Sequence, residues 1–191
     1  FPIPIPGAGK LNEAPLFFQK SLLFPYYGGA EFVSTLRHYG GDWREVDDAY
    51  SSLPRSTEEI FHPYRYLYLQ NEPAYPDFAK LPTKFGDWEK VRDDTGGEFL
   101  VRIVLEQYGV DDYQEAAEGW NGDRIRVFRH QQTGALGFYW VIRWDHPTEA
   151  KEFYNSLGSH LPFVVEQEEV ASILSLAFDK KQLAQLRKGW K

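Results

Sequence analysis

The sequence predicts an α+β fold, with an N-terminal helical segment followed by a small antiparallel sheet with flanking helices. Three observations carry this expectation. Apolar residues recur near a 3.6-residue period between Ala14 and Gly40, whereas the period falls to about two from Arg124 onward. A turn-like "QQTG" separates "DRIRVFRH" from "ALGFYWVIRW", as in a hairpin. Strands and helices nowhere alternate as βαβ units, which removes the doubly wound nucleotide-binding folds. "PGAGK" near the start lacks the spacing, the Ser or Thr after Lys, and the preceding strand of a phosphate loop.

The elements follow in order. "FPIPIPGAGK" alternates prolines, which forbid helix and favour an extended, polyproline-like arm over residues 1–13. Leu16, Phe17, Leu22 and Leu23, then Phe32, Val33 and Leu36, predict two helical stretches ending at "YGG". Asp42 is placed to cap a short helix that Pro54 stops. Ser56 to Glu59 has capping-box spacing. Pro63 disfavours a helical His62, so Tyr64, Tyr66 and Tyr68 are expected to follow in extended form. These features define a helical subdomain over 14–69.

Pro73, Pro76 and Pro82, with Gly86, Gly96 and Gly97, make 70–97 read as an irregular surface crossing. "GEFLVRIVLEQYG" then predicts an amphipathic helix, and "DYQEAAEG" a second short one. "HPTEAKEFYNSL" predicts a helix with Pro147 in its first turn. "PFVVEQEEVASILSLAF" suggests one or two further strands, and Asp179 is placed to cap a last helix from Lys180 to Arg187. Residues 98–191 thus form an α+β subdomain, expected to join 14–69 in one compact unit.

The formal charge of −7 over 191 residues argues against nucleic acid, which requires clustered Lys and Arg. The basic run "KKQLAQLRKGWK" sits where cations complement a helix dipole. No apolar run reaches bilayer-spanning length, so membrane association is expected only through a partner. With no Cys, the chain has no thiolate metal site, disulfide or cysteine nucleophile, which fits an extracytoplasmic location in the periplasm or at the cell surface. The absence of Met even at position 1 marks Phe1 as a processing site or a cut.

Candidate site residues are few. His38, His62, His130, His146 and His160 show no pair spaced four apart as on a zinc helix, so no metal ligand is assigned. His62 stands out because the adjoining Pro63 fixes its turn amid Tyr64, Arg65 and Tyr66. It reads either as a buried turn histidine or as a rigid cleft wall. In "AAEGWNGDRIRVF", Trp120 is either packed over the Gly119–Gly122 turn or presented outward, with packing the expected state. Asp123 and Arg124 could pair with each other or reach across a cleft. Asp93 and Asp94 are expected to form a turn or cap the next helix. A serine triad with a nucleophile elbow is not apparent.

The segments "FPYYGGAEFVSTLRHYGGDW", "AYSSLPRSTEEIFHPYRYL", "AAEGWNGDRIRVF" and "VIRWDHPTEAKEFYNSL", taken in order over roughly residues 21 to 160, resemble the C-terminal half of a family of uncharacterised, zincin-like bacterial and archaeal proteins. In that family a His-Glu-x-x-His helix and a further glutamate lie upstream of the matching region. The resemblance therefore implies zinc ligands that precede Phe1, a cofactor absent from this chain's own residues, and metal-assisted peptide hydrolysis only in a longer protein. Under that reading His62, Tyr66 and Arg124 are the candidate catalytic donors near the tetrahedral oxyanion.

The function expected is a non-catalytic C-terminal portion of a zincin-like, metallopeptidase-related protein, with the missing N-terminal half or a protein partner supplying the rest. The alternative is an extracytoplasmic accessory subunit that docks on a larger assembly through its aromatic surface. Carbohydrate or peptide binding through Trp43, Trp120 and the tyrosines is a third reading, and Trp43, Trp120 and Asp123 are the candidate binding residues.

Overall fold

The computed structural model describes residues 8–69, 72–157 and 161–190. The proline-rich stretch 1–7 and His160 lie outside them. The chain divides into two compact units, Phe1–Glu72 and Pro73–Lys191.

The first unit is helical. Its elements are α1 (Ala8–Leu11), α2 (Leu16–Gly40), α3 (Arg44–Ser51), α4 (Thr57–Phe61) and a π-helical turn at Arg65–Leu69. Three local expectations change here. Ala8–Leu11 is helical, because the prolines that forbid helix stop at Pro6. The two predicted stretches of 14–40 are one helix of 25 residues with Pro25 inside it. A proline removes a single ladder bond, and a long helix with a packed face tolerates that. The run Arg65–Leu69 is wound, not extended. Tyr66 is drawn inward, its ring edge-on to Phe32 at 5.3 Å and its hydroxyl donating to the Ser52 carbonyl at 2.8 Å.

Caps end these helices as local chemistry dictates. Gly41 closes α2 at φ 74°, a conformation that costs glycine nothing, and its N–H donates to the Arg37 carbonyl. The Ser56 hydroxyl accepts the Glu59 amide at 3.3 Å. Phe32, Leu36, Val46 and Ala49 form the small core of the unit.

The second unit is a six-stranded antiparallel sheet in the order β1-β2-β3-β4-β6-β5. Its strands are β1 (Lys84–Phe85), β2 (Trp88–Asp94), β3 (Trp120–His130), β4 (Leu136–Trp144), β5 (Val164–Glu168) and β6 (Ala171–Leu176). The helices are α5 (Gly97–Gln107), α6 (Pro147–Ser156) and α7 (Lys180–Arg187), with a 3₁₀ turn at Glu115–Ala117. β1 and β2 replace much of the irregular crossing expected over 70–97. β2 reads "WEKVRDD", and its register slips between Lys90 and Arg92. It therefore shows no clean alternation and owes its state to pairing with β3.

Both faces of the sheet are covered. Alternation along β4 sends Tyr139 and Val141 to one core, with Phe128, Ile173, Leu183, Leu186 and Trp190. It sends Trp140, Ile142 and Trp144 to the other, with Val101, Leu105, Phe153 and Leu174. Asp179 caps α7 by accepting the Gln182 amide at 2.8 Å. No helix among the described residues is long and apolar enough to cross a membrane.

Arg126, pointing to the first of these faces, fastens the loop before β1 to the sheet. Its guanidinium grips Asp93 at 2.6 and 2.7 Å and donates to the carbonyls of Leu81 at 2.8 Å and Phe78 at 3.2 Å. Burial pushes the Asp93 carboxyl up, but the Arg126 and Lys90 hydrogen bonds outweigh it and leave the pKa lowered. A carboxylate depressed in the folded state stabilises the fold above its unfolded pKa of about 3.9 and loses that contribution as pH falls through the folded value. Thermal melts of the wild type and Asp93→Asn from pH 7 down to about pH 2 check this. The wild type should be the more stable at neutral pH, and the gap should close below about pH 4. A gap independent of pH would show that the Asp93 charge does not contribute.

Candidate functional site

The candidate residues fall in different units, and within the second Trp120 and Asp123 are in direct contact. His62, Tyr66 and Trp43 belong to the first. Arg124, Trp120 and Asp123 belong to the second.

His62 closes α4, its N–H donating to the Glu58 carbonyl at 2.8 Å, and its ring meets Tyr64 edge-on at 6.1 Å. Tyr66, half-buried, gives its hydroxyl to Ser52, and burial pushes its pKa up. Trp43 is exposed at the start of α3, with the Arg37 guanidinium 4.7 Å from its ring centroid. These positions describe caps, packing and surface.

Trp120 is fully buried, as expected of the packed state. Asp123 does neither of the two things expected of it. Its carboxylate, also fully buried, accepts four N–H bonds: from the Gly96 amide at 2.8 Å, the Gly97 amide at 2.7 Å, the Trp140 indole at 2.8 Å and the Trp120 indole at 3.2 Å. Burial pushes its pKa up, and the four donors oppose that shift. The amides at the start of α5 are thus capped from β3 and not by Asp93 or Asp94. Asp94 instead accepts the amide of the adjacent Thr95. A bulge between Trp120 and Asp123 turns the carboxylate inward.

Arg124 lines a cleft of about 400 Å³ with Asp77, Thr83, Lys90, Asp93 and Arg126. Arg126 and Asp93 are consumed by one another and by the loop. Arg124 Nε is shielded from water and has no hydrogen-bond partner. The predicted donor thus stands in a polar cleft of the second unit, while its two proposed companions are in the first.

The other histidines have structural surroundings. His38 meets Tyr39 edge-on at 5.5 Å, His130 meets Trp88 edge-on at 5.0 Å, and His146 begins α6 with its amide held by the Glu149 carboxylate at 2.5 Å. Among the described residues, no group of three or more His, Cys, Asp or Glu is placed to hold a metal ion. The zinc ligands implied by the resemblance would precede Phe1, so no chemical step is routed through a metal here.

The feature that sequence periodicity did not separate is the uncovered face of α2. Phe18, Leu22 and Tyr26, at i, i+4 and i+8, are 55%, 60% and 69% exposed, and Phe17 and Tyr27 flank them. The other end of the same helix buries Phe32 and Leu36. An apolar count alone does not say which end of a long helix is covered.

Replacing Asp123 tests the largest of these assemblies. Asp123→Ala strands four buried N–H donors and should lower unfolding free energy by about 3 to 5 kcal/mol in urea titrations. Asp123→Asn, which keeps the shape but turns an NH₂ toward donors, should also lose about 2 kcal/mol or more. Losses under about 1 kcal/mol for both would mean that the indoles and amides find other acceptors.

A family model described as "Domain of unknown function (DUF8575)" matches residues 84–183, from β1 into α7. No curated protein and no solved structure gives a significant match. With more than half of its length matched, including the whole sheet, the chain belongs to the DUF8575 family.

Proposed function

We propose that the chain is a non-catalytic docking module, which uses the exposed face of α2 to engage a protein partner. The observation that carries this reading is the stripe Phe18, Leu22, Tyr26, an apolar row about 12 Å long on one helix face. Water-exposed aromatics in a contiguous row are unfavourable unless something covers them, and rows at i, i+4 and i+8 are the anchors by which helices enter apolar grooves. Phe and Tyr suit that role because they bury large areas with few rotatable bonds.

Two further features support it. Tyr39, Trp43 and Tyr50 add exposed aromatics at the far end of α2 and on α3. Of the three candidate catalytic side chains, the His62 ring packs edge-on against Tyr64, and Tyr66 packs on Phe32 and donates to Ser52. The metallopeptidase-related reading rests on the resemblance alone, and under it too the chain is the non-catalytic part.

A triple variant, Phe18→Ser, Leu22→Ser, Tyr26→Ser, separates a docking face from a packing face. As a docking face it should leave the melting temperature within about 2 °C of wild type. A photo-reactive residue at position 22, introduced into the protein in its own cells, should give an adduct of one discrete mass. The partner so identified, once purified, should bind the wild-type chain at least about tenfold more tightly than a Phe18→Ser, Tyr26→Ser variant. Unfolding of the triple variant, or unchanged binding by the double one, would defeat the proposal.

A further inference from the structure

The loop before β1 walls two clefts in the second unit. In one, of about 370 Å³, Arg143 lies over the Trp190 ring at 5.9 Å, and the Trp190 indole is taken by the Tyr139 hydroxyl. The other, of about 400 Å³, lies between that loop and the face of β2 and β3 that carries Arg126. Its charges do not all cancel.

Strand register explains the imbalance. Arg124 and Arg126 stand two apart on β3 and so project from the same face. Asp93 of β2 lies opposite Arg126 and pairs with it, and Lys90 also bonds Asp93 at 2.7 Å. β2 ends at Asp94, opposite Ile125, so no strand carboxylate is left to face Arg124 on that side. On the other side its register partner in β4 is Val141. Arg124 consequently lines the cleft half-buried, with no ion pair or hydrogen bond among the described residues. The second uncompensated charge is Asp77, on the loop itself. One of its carboxylate oxygens accepts the Ala79 amide at 2.8 Å, which sets its orientation, and Arg126 holds the adjoining loop through the Phe78 and Leu81 carbonyls. Asp77 makes no ion pair among the described residues, with Arg124 or any other group. Two opposite charges thus line one cleft without meeting.

We propose that this cleft binds a small zwitterion of the amino-acid class, its carboxylate on the Arg124 guanidinium and its primary ammonium on the Asp77 carboxylate. Charge selects the class. A simple anion would leave Asp77 opposing it, and a simple cation would leave Arg124 opposing it. A dianion finds no second cation, because Arg126 and Lys90 are bonded to Asp93. A quaternary ammonium needs an open aromatic face, and the Phe78 ring in the lining is 3% exposed. The exposed Thr83 hydroxyl adds a donor or acceptor beside the two charges, and the volume suits a small molecule. The cleft lies wholly in the second unit, so the inference stands independently of the α2 stripe.

Glycine, β-alanine and 4-aminobutyrate are the probes, a series in which the ammonium and carboxylate stand progressively further apart. The readout is the Arg124 Nε–H signal in ¹H–¹⁵N spectra of the whole chain, a group shielded from water and identified by its absence in Arg124→Lys. In the wild type at least one probe should move this signal saturably. A mixture of acetate and methylammonium at the same concentrations should leave it in place. Asp77→Asn keeps an oxygen for the Ala79 amide and removes the charge, so it should weaken binding of that probe about tenfold or more. Asp77→Ser should weaken it to the same degree, and the tryptophan indole signals should stay put in both variants as evidence that the sheet is intact. Silence toward all three probes overturns the proposal. An equal response to the mixture, or wild-type affinity in either Asp77 variant, overturns it equally.

Discussion

A single buried carboxylate organises the second unit. Asp123 gathers two backbone amides from the start of α5 and two indoles, Trp120 at the head of its own strand and Trp140 on the neighbouring one. Each donor is buried or half-buried, and each would be costly to leave unpaired. The charge fixes the position of α5 and the orientation of two large rings together. Helix docking, strand bulge and core packing on that face are consequently one arrangement and not three.

The opposite face relies on a second ion, of opposite sign. Arg126 spends its donors on Asp93 and on the carbonyls of the 78–82 loop, so a segment with no regular structure is held as firmly as an element. That fixed loop forms one wall of both clefts. The glycines at 122 and 189 contribute in a complementary way, by omitting side chains where backbones nearly touch. The geometry at Trp190 and Arg143 therefore belongs to a braced framework.

The helical unit is built differently. Its buried set is small, and much of its aromatic content faces water along α2 and α3. A unit of this type gains little from its own core.

Much of the fold was determined locally. The α+β class, the hairpin of β3 and β4, the Pro147 start of α6 and the Asp179 cap of α7 follow from periodicity, turn residues and capping chemistry, which act within a few positions. Trp120 as a packed residue follows in the same way, from the size of an indole beside a glycine turn. What depended on partners far along the chain was not local. β2 is polar at nearly every position and is a strand only because β3 pairs with it. Tyr66 winds into a π-helical turn because Ser52 and Phe32 receive it. The role of Asp123 is the clearest case. The sequence marks an acid next to Arg124 at the start of a strand, but its four donors come from as far as 27 residues away, so only the closed tertiary structure could make it a cap and not an ion pair.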